Sequence, residues 1–505
     1  MERQQSDGRA MDHSPKPSAE AIREAYSSKI AVLETEKDSL KRKSGLCLAG
    51  KLFFFAAAVV FICFAVSSVS FRDIAFSVLS AALYIVSYIA DSRLRDRISR
   101  LESLQKTCRN ELAYLDGDFT PFGKGEEYAD PDHEYACDLD IFGESSLFQR
   151  IDRTVTSGGR DLLAGLLKKL PGDSSEILSR MEAVQELSSM EMLDWRTDFI
   201  SSPKADSSLE ALSGYIGRES YGRFLTVSHV PFVMVAVTWA SLAAGVCGVA
   251  YAWAVFGIMV MVQLMTAAII GRSSQNAAAG ADALHKSYSA YLKLLKMIRG
   301  TDFRSVKLKG LKQELFGQDA DCDKAFRELS GILNLFDQRG GYVMYYLLNG
   351  TLQYDVMLIR LFIRWGRRYF PYMERWLGAI AGFDALTSLA VYAFNSPGGT
   401  MAQISEDPDC VVSAKDVFHP FLSPDKAVPN DFEIKRHNIF IVTGANMAGK
   451  STFLRTIGVN YILASNGVPV CASSFRFSVV SLFSGMRTSD NLSRDISGKS
   501  GNLWK

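Results

Sequence analysis

The sequence carries almost no net charge, because 56 lysines and arginines stand against 55 acidic residues, a formal charge of +1. A chain with this balance has no overall basic field, so any binding to nucleic acid must come from a local patch. Histidine is scarce, at six residues, and the eight cysteines form no C-x-x-C pair. These scarcities exclude the usual zinc-site spacings and predict reduced thiols in a protein that faces the cytosol.

Charged residues are missing from two neighbouring stretches near the N-terminus. Residues 52–71 contain no charged side chain, and residues 74–90 contain none. A helix needs about 20 apolar residues to cross a bilayer, and apolarity on every face favours lipid over a soluble core. We therefore predict a hairpin of two transmembrane helices within residues 46–92. A buried helical hairpin in a soluble core is the alternative.

A second apolar block covers residues 224–271, where His229 is the only acidic or basic side chain. As one helix this block would be about 72 Å long, whereas the hydrocarbon layer is about 30 Å thick. Two crossings joined by a turn near residues 245–248 fit better, which gives about four transmembrane helices in total. A pair of soluble core helices is again the alternative.

Basic residues flank both ends of the first apolar pair: Lys41, Arg42, Lys43, Arg93, Arg95, Arg97 and Arg100. Because basic flanks stay on the cytoplasmic side, both ends of this hairpin are predicted to be cytoplasmic. The first 45 residues are polar and do not resemble a cleavable signal peptide. We therefore expect a multi-pass membrane protein with its C-terminal part in the cytoplasm.

The motif with the clearest chemistry is TGANMAGKST at residues 443–452, which fits G-x-x-x-x-G-K-[ST]. It follows the apolar run NIFIVT, predicted to be a buried strand, and precedes a helical pattern, which is the context that a phosphate-binding loop requires. The predicted phosphate contacts are Gly444, Ala445, Asn446, Met447, Ala448, Gly449, Lys450, Ser451 and Thr452. Lys450 is expected to reach the β- and γ-phosphates and Ser451 to bind Mg²⁺, so the predicted cofactors are ATP and Mg²⁺.

The residues of this loop, TGANMAGKSTFLRTIGV, closely resemble the ATPase loop of the MutS family of DNA mismatch-repair proteins, which has Asn-Met before the glycine. The stretch DLDIFGESSLFQRIDRTVTSGGRDLLAGLL, from Asp138, resembles the start of that family's helical core. FDALTSLAVYA resembles the end of its lever, and His419-Pro420 with VPND at 428–431 resembles the segment that enters the ATPase sheet. The resemblance implies a P-loop ATPase of the MutS type that forms a homodimer and moves a lever when ATP binds.

The resemblance also implies binding of DNA, including mismatched DNA, but the family's mismatch-reading domain has no counterpart before Asp138. Phe326-Arg327-Glu328, the nearest match to its Phe-x-Glu wedge, is expected to pack inside a helix. The apolar hairpin stands in place of the missing domain, so the chain resembles a membrane-anchored MutS-like subfamily. Its expected partners are ATP, membrane lipids and a second copy of the chain, with DNA as a further partner.

The family pattern beyond the loop continues into a strand that ends in Asp-Glu, which is not found before the ending GKSGNLWK. We expect a C-terminally truncated ATPase domain that binds ATP more readily than it turns it over, with no assigned catalytic residue. The alternatives are a scaffold or fragment that binds ATP without hydrolysing it, and a transporter-associated ATPase.

The predicted fold is multi-domain, with α-helical membrane segments, an α-helical core and lever, and part of an α/β P-loop domain. The predicted units are a polar tail and cytoplasmic helix (1–45), the hairpin (46–92), a helix and linker (93–137), core helices (138–223), the second apolar pair (224–271), core and lever helices (272–400) and the ATPase domain (401–505). The charged helices on either side of the hairpin are expected either to pair as a stalk or to be solvated separately.

A basic cluster lies within the aromatic-rich run before the ATPase domain: Arg360, Arg364, Arg367 and Arg368. Trp365, Tyr369 and Phe370 are interleaved with it. Such a pattern predicts either a grip on DNA phosphates with aromatic support, or a face turned to lipid headgroups or solvent.

Overall fold

The computed structural model describes residues 17–68, 71–205, 229–317, 321–337, 342–422, 427–438, 441–443 and 449–480. These residues are mostly helical, with a small mixed sheet near the C-terminal end. A mostly helical fold with a small sheet is therefore confirmed. The boundaries predicted at residues 45, 92 and 271 fall inside continuous helices.

Helices α1 (Ala19–Ser68) and α2 (Phe71–Leu115) form an antiparallel hairpin. Only 6 % of the most apolar window of α1 and 11 % of that of α2 are buried, so their apolar side chains face outward. At the other end a small core joins the two helices, with these leucines: Leu33, Leu40, Leu101 and Leu104. The stalk is therefore a packed pair of helices rather than two separately solvated ones.

Where the apolar part of the hairpin begins, four polar side chains join α1 to α2, and we call this group the polar clasp. The carboxylate of Asp91 is fully buried and accepts hydrogen bonds from Ser44 (2.6 Å), Arg95 (2.9 Å) and Lys51. Ser44 and Lys51 belong to α1, whereas Asp91 and Arg95 belong to α2. A buried carboxylate is stable only with such partners, so the clasp fixes the register of the two helices.

The second apolar block forms α7 (Val230–Val246) and the first part of α8 (Ala252–Arg299). The chain reverses between them with Gly248 and Tyr251 in left-handed conformations, at φ values of 82° and 62°. This is the predicted turn near residues 245–248. Gln263 in α8 donates to the carbonyl oxygen of Met234 (3.1 Å) and to the Thr238 hydroxyl in α7, which pins the two helices together.

Core helices on either side of the second apolar pair in the sequence pack against one long helix. Their bounds are α3 (Leu147–Ile151), α4 (Ser157–Lys168), α5 (Ser174–Ser188), α6 (Leu193–Ile200), α9 (Val306–Phe316), α10 (Cys322–Asp337) and α11 (Tyr342–Leu352). The long helix, α12 (Tyr354–Phe394), has 41 residues and carries the predicted lever sequence. Phe326, inside α10, is completely buried, as expected for a packing residue.

The lever helix is fastened to the start of α4 by a buried carboxylate. Asp384 of α12 accepts hydrogen bonds from the backbone N–H of Val155 (3.1 Å) and of Thr156 (2.7 Å), and from the Thr156 hydroxyl (2.6 Å). Burial raises the pKa of Asp384 to about 7, while these donors oppose the rise. The contact is close, because a Cβ at Gly159 would lie 2.3 Å from the Asp384 carboxylate.

A second buried network joins the stalk to the far end of the lever. Glu111 of α2 accepts from the Arg153 guanidinium (2.7 and 3.2 Å) and from the Asn395 amide (2.8 Å). The hydroxyl of Tyr26 in α1 donates to the Asn395 side-chain oxygen at 3.2 Å. The Arg153 and Glu111 side chains are 3 % and 1 % exposed, respectively. We call these four residues the stalk joint.

The sheet contains β1 (Gln403–Ile404), β2 (Cys410–Val417), β3 (Asn430–Lys435) and β4 (Ser474–Phe477), in the order β1-β4-β2-β3. β4 is parallel to β1 and antiparallel to β2, which also pairs antiparallel with β3. The strand predicted for NIFIVT is not formed in its described part, residues 441–443. The described sheet does not include residues 441–443, and the Ile441 side chain is 79 % exposed.

Candidate nucleotide-binding site

The described part of the phosphate loop is its end, where helix α13 (Lys450–Ser465) begins. Gly449 precedes the helix in the left-handed conformation, with φ of 85°. This conformation favours glycine, because a Cβ would be strained there even though space is open. The predicted contacts Gly444, Ala445, Asn446, Met447 and Ala448 lie outside the described residues, whereas Gly449, Lys450, Ser451 and Thr452 lie within them.

The start of α13 is chemically suited to bind phosphate and magnesium. Ser451 and Thr452 are exposed, and Lys450 is half-buried. Within the described residues no side chain caps the helix at Gly449, so the first turn can offer its backbone N–H groups and the positive end of the helix dipole to an anion. The Ser451 hydroxyl is the type of oxygen ligand that Mg²⁺ takes beside nucleotide phosphates. These residues therefore fit ATP with Mg²⁺.

The middle of α13 is fixed against the core. Arg455 pairs with Asp140 at 2.5 Å. The side chain of Asn460 donates to the carbonyl of Phe418 (3.0 Å) and accepts from the backbone N–H of Cys471 (2.7 Å). A Cβ at Gly458 would lie 2.8 Å from Leu139, so the helix backbone lies directly on the segment before α3.

The end of α13 reaches the core helices. The side-chain oxygen of Asn466 accepts from Arg180 of α5 at 2.8 Å, and its amide donates to the carbonyl of Leu166 in α4 at 3.2 Å. Both Asn466 and Arg180 are buried. Sequence reasoning did not single out Asn460, Asn466 or Arg180, although two asparagines at the buried end of an apolar helix are a signal of specific hydrogen bonding.

His419 follows β2, and its side chain is buried, with 7 % exposed. Its Nδ1 accepts a hydrogen bond from the backbone N–H of Phe421 at 3.1 Å, which requires the neutral ring. Burial, together with the nearby charges of Arg150 and Arg455, lowers the pKa of His419 to about 4. His419 is therefore a neutral structural residue near neutral pH.

We expect acid to weaken this end of the protein through His419. The folded pKa of about 4 lies below the ordinary 6.5, so the stabilising contribution is complete above pH 6.5 and is lost as pH falls towards 4. The loss is on the order of 3 kcal/mol. His419→Asn, whose side-chain oxygen can accept the Phe421 N–H, should show a flatter fall of melting temperature between pH 7 and pH 4.5. His437→Asn, at an exposed position, should follow the wild type; equal slopes for all three proteins would contradict the assignment.

The predicted basic cluster lies on the first half of α12. Arg364, Arg367 and Arg368 are exposed, and Arg360 is half-buried with its guanidinium 5.0 Å from the ring centre of Phe232. The interleaved aromatic residues face the other way. Trp365 and Tyr369 are each 3 % exposed, and Trp365 donates to the carbonyl of Ala325 at 2.8 Å. The expectation that Trp365 and Tyr369 support a phosphate grip by stacking is therefore wrong, because both rings fill the core.

Comparisons with known proteins agree with the resemblance read from the loop. Residues 440–501 match the family model of MutS domain V, a span that includes the first four residues of the ending GKSGNLWK. The DNA mismatch repair protein MutS of Pelotomaculum thermopropionicum is 28 % identical over 397 residues, which is 70 % of this chain and 44 % of that protein.

Other relatives match over shorter stretches. The DNA mismatch repair protein MutS of Caulobacter vibrioides is 37 % identical over 128 residues, covering 23 % of this chain and 14 % of that protein. Endonuclease MutS2 of Fusobacterium nucleatum is 39 % identical over 64 residues, covering 12 % and 8 %. The chain thus spans less than half the length of these relatives. Of the three, the Pelotomaculum protein aligns over the longest stretch.

Proposed function

We propose that the chain is a membrane-anchored, MutS-like ATP-binding protein in which nucleotide bound at the start of α13 shifts the lever helix α12. The observation that carries the proposal is the uncapped start of α13, where a left-handed glycine is followed by Lys450 and Ser451 within a segment that matches MutS domain V. Lys450 would hold the phosphates and Ser451 the magnesium. ATP supplies the binding energy that distinguishes the two lever positions.

Membrane attachment is supported by the outward-facing apolar surface of the α1–α2 hairpin. Large side chains such as Phe53, Phe64 and Val78 are 68 %, 58 % and 64 % exposed. In water such a contiguous surface is costly, whereas in a bilayer it is the favourable arrangement. The basic residues at the base of the hairpin would then lie on the cytoplasmic side. We extend the proposal to the apolar pair α7–α8, for about four crossings.

The path from nucleotide to lever follows buried polar contacts. Movement of α13 would be passed to α4 and α5 through Asn466 and Arg180, since both side chains are buried and hydrogen-bonded. From α4 it would reach α12 through Asp384. The stalk joint then connects the end of α12 with α1 and α2, so the lever and the membrane hairpin would move together. A second copy of the chain completes the proposed homodimer.

DNA binding is a second candidate, favoured by the exposed arginines Arg364, Arg367 and Arg368 on α12. If these side chains grip phosphates, the logarithm of the affinity for duplex DNA will fall linearly with the logarithm of salt concentration. Arg364→Ala combined with Arg367→Ala should then weaken binding and make that slope shallower by about 2. A slope unchanged in the double variant, or no binding at low salt, would remove DNA from the proposal.

The central proposal is tested on the intact chain in two steps. Membranes from cells that express it are extracted with alkaline carbonate, and the chain should stay in the pellet. Protein solubilised from that pellet in detergent should then bind ATP with Mg²⁺ saturably, with phosphate release measured in parallel. Extraction into the supernatant would refute the anchor, and absence of saturable binding would refute the nucleotide site. Phosphate release would exclude the non-hydrolysing scaffold.

A further inference from the structure

The start of the long helix α12 contacts both helices of the second apolar pair. Gln353, which separates α11 from α12, is fully buried and donates to the sulfur of Met234 in α7 at 3.3 Å. A Cβ at Gly350 would lie 3.1 Å from Val260 and 3.6 Å from Leu264 of α8. The segment from Gly350 to Gln353 therefore contacts the first turns of α7 and the middle of the apolar part of α8.

The positions of the contacting residues along α7 and α8 show how far this contact lies from the helix ends. Met234 lies four residues after the start of α7, or about 6 Å along its axis. Val260 and Leu264, the α8 residues nearest Gly350, lie eight and four residues before Ala268, the last residue of the described apolar part of α8, or about 12 and 6 Å. The segment from Gly350 to Gln353 therefore meets the two apolar helices about 6 to 12 Å from these ends.

The composition of the inserted segment matches this position. Residues 340–354 contain no charged side chain, and Asp355, the first that follows, is fully buried. Met344, Tyr346 and Leu347 are 44 %, 58 % and 57 % exposed, so α11 turns apolar side chains outward beside the exposed face of α7 and α8. The next charged residue is Arg360, whose guanidinium lies 5.0 Å from the ring centre of Phe232 near the start of α7, and three exposed arginines follow it.

A buried side chain satisfies part of the backbone of the turn. Gln353 adopts a left-handed conformation, with φ of 48°. The side-chain oxygen of Asn349 accepts the backbone N–H of Asp355 at 3.0 Å, and its amide donates to the carbonyl of Tyr345 at 3.2 Å. Asn349 is itself fully buried. Non-helical backbone at membrane depth is tolerated when protein groups satisfy it in this way.

We infer that α11 and the first turns of α12 form a re-entrant hairpin that inserts into the cytoplasmic leaflet beside α7 and α8, so that the lever begins inside the lipid layer. This inference rests on the proposed membrane attachment and adds a membrane element to it. The arginines from Arg360 onward would mark the level of the lipid headgroups. The partner of the outward face of α11 is therefore the acyl-chain region of the bilayer.

The test is site-specific photo-crosslinking of the full chain reconstituted in lipid vesicles. In separate preparations a benzophenone amino acid replaces Leu347 in α11, Leu79 in the α1–α2 hairpin, or Met190. Met190 is an exposed residue between α5 and α6, outside the apolar helices. Each preparation contains a lipid with a labelled acyl chain. Leu347 and Leu79 should both give lipid adducts on illumination, at least about tenfold above Met190.

The three positions separate the two proposals. An adduct at Leu79 with none at Leu347 would overturn the re-entrant hairpin and leave the anchor standing. No adduct at either position would overturn both. A matched variant, Gly350→Leu, places a side chain where Val260 is already 3.1 Å from a Cβ, and should reduce the adduct at Leu347 while that at Leu79 is unchanged. An undiminished adduct at Leu347 in this variant would show that α11 meets lipid without docking on α8, against the inference.

Discussion

Replacing Lys450 with alanine should weaken ATP binding by about 100-fold or more. Hydrogen bonds from an ammonium group to phosphate oxygens contribute about 1.5–3 kcal/mol each, and the loop lysine makes two such contacts in the proposed role. Their loss corresponds to roughly 10²- to 10⁴-fold in the dissociation constant. The measurement is equilibrium titration of the purified chain with a fluorescent ATP analogue in the presence of Mg²⁺.

Two further variants make the result specific. Lys435→Ala removes an exposed lysine on β3, paired with Glu433 at 3.5 Å, and should bind ATP like the wild type. Ser451→Ala should lose only the part of the affinity that depends on Mg²⁺, because its hydroxyl is assigned to the metal. If Lys450→Ala binds within twofold of the wild type, nucleotide is held elsewhere and the phosphate loop is not the site.

The largest effect on stability should follow removal of the Glu111 carboxylate. Glu111→Ala leaves the Arg153 guanidinium buried without its counter-charge and deprives the Asn395 amide of its acceptor. Breaking a buried ion pair from one side typically costs about 3–5 kcal/mol. We expect a fall of this size in the free energy of unfolding, measured by chemical denaturation in detergent and followed by helical circular dichroism.

The same helix supplies the control for this experiment. Glu102 of α2 pairs with Lys41 of α1 at 3.6 Å, but both side chains are about half exposed, at 52 % and 53 %. Such a pair contributes about 0–1 kcal/mol, so Glu102→Ala should be nearly neutral. Equal destabilisation by the two variants would mean that burial of Glu111 carries no special weight. Glu111→Leu combined with Arg153→Met should recover much of the loss, because no buried charge then remains.

Features with a local signal were predictable from the sequence. The turn at residues 245–248 follows from glycines inside a block too long for one crossing, and the packed stalk follows from leucines at helical spacing. The orientation of Trp365, Tyr369 and Trp376 could also have been read from their spacing, since residues four and seven apart share one helix face. Their proximity to arginines in the sequence was the misleading feature.

Contacts between distant residues left no such signal. Asn395 lies 284 residues from Glu111, and Asp384 lies 228 residues from Thr156, so no periodicity reveals that they meet. In NIFIVT the apolar run favours a buried strand, whereas residues 441–443, which the structure describes, are not in a strand. A strand depends on neighbours that pair with its backbone, and the pattern of one segment does not specify those neighbours.

The position of the second apolar pair has a consequence for synthesis of the chain. The main core combines residues up to Ala205 with residues from Ala290 onward, and α7 and most of α8 are made between these two halves. The faces of α4 and α5 that pack on α12 thus leave the ribosome long before their partners exist. Completion of the core must therefore wait until the apolar pair and α12 have been synthesised, so the two halves of one core are made at separate times.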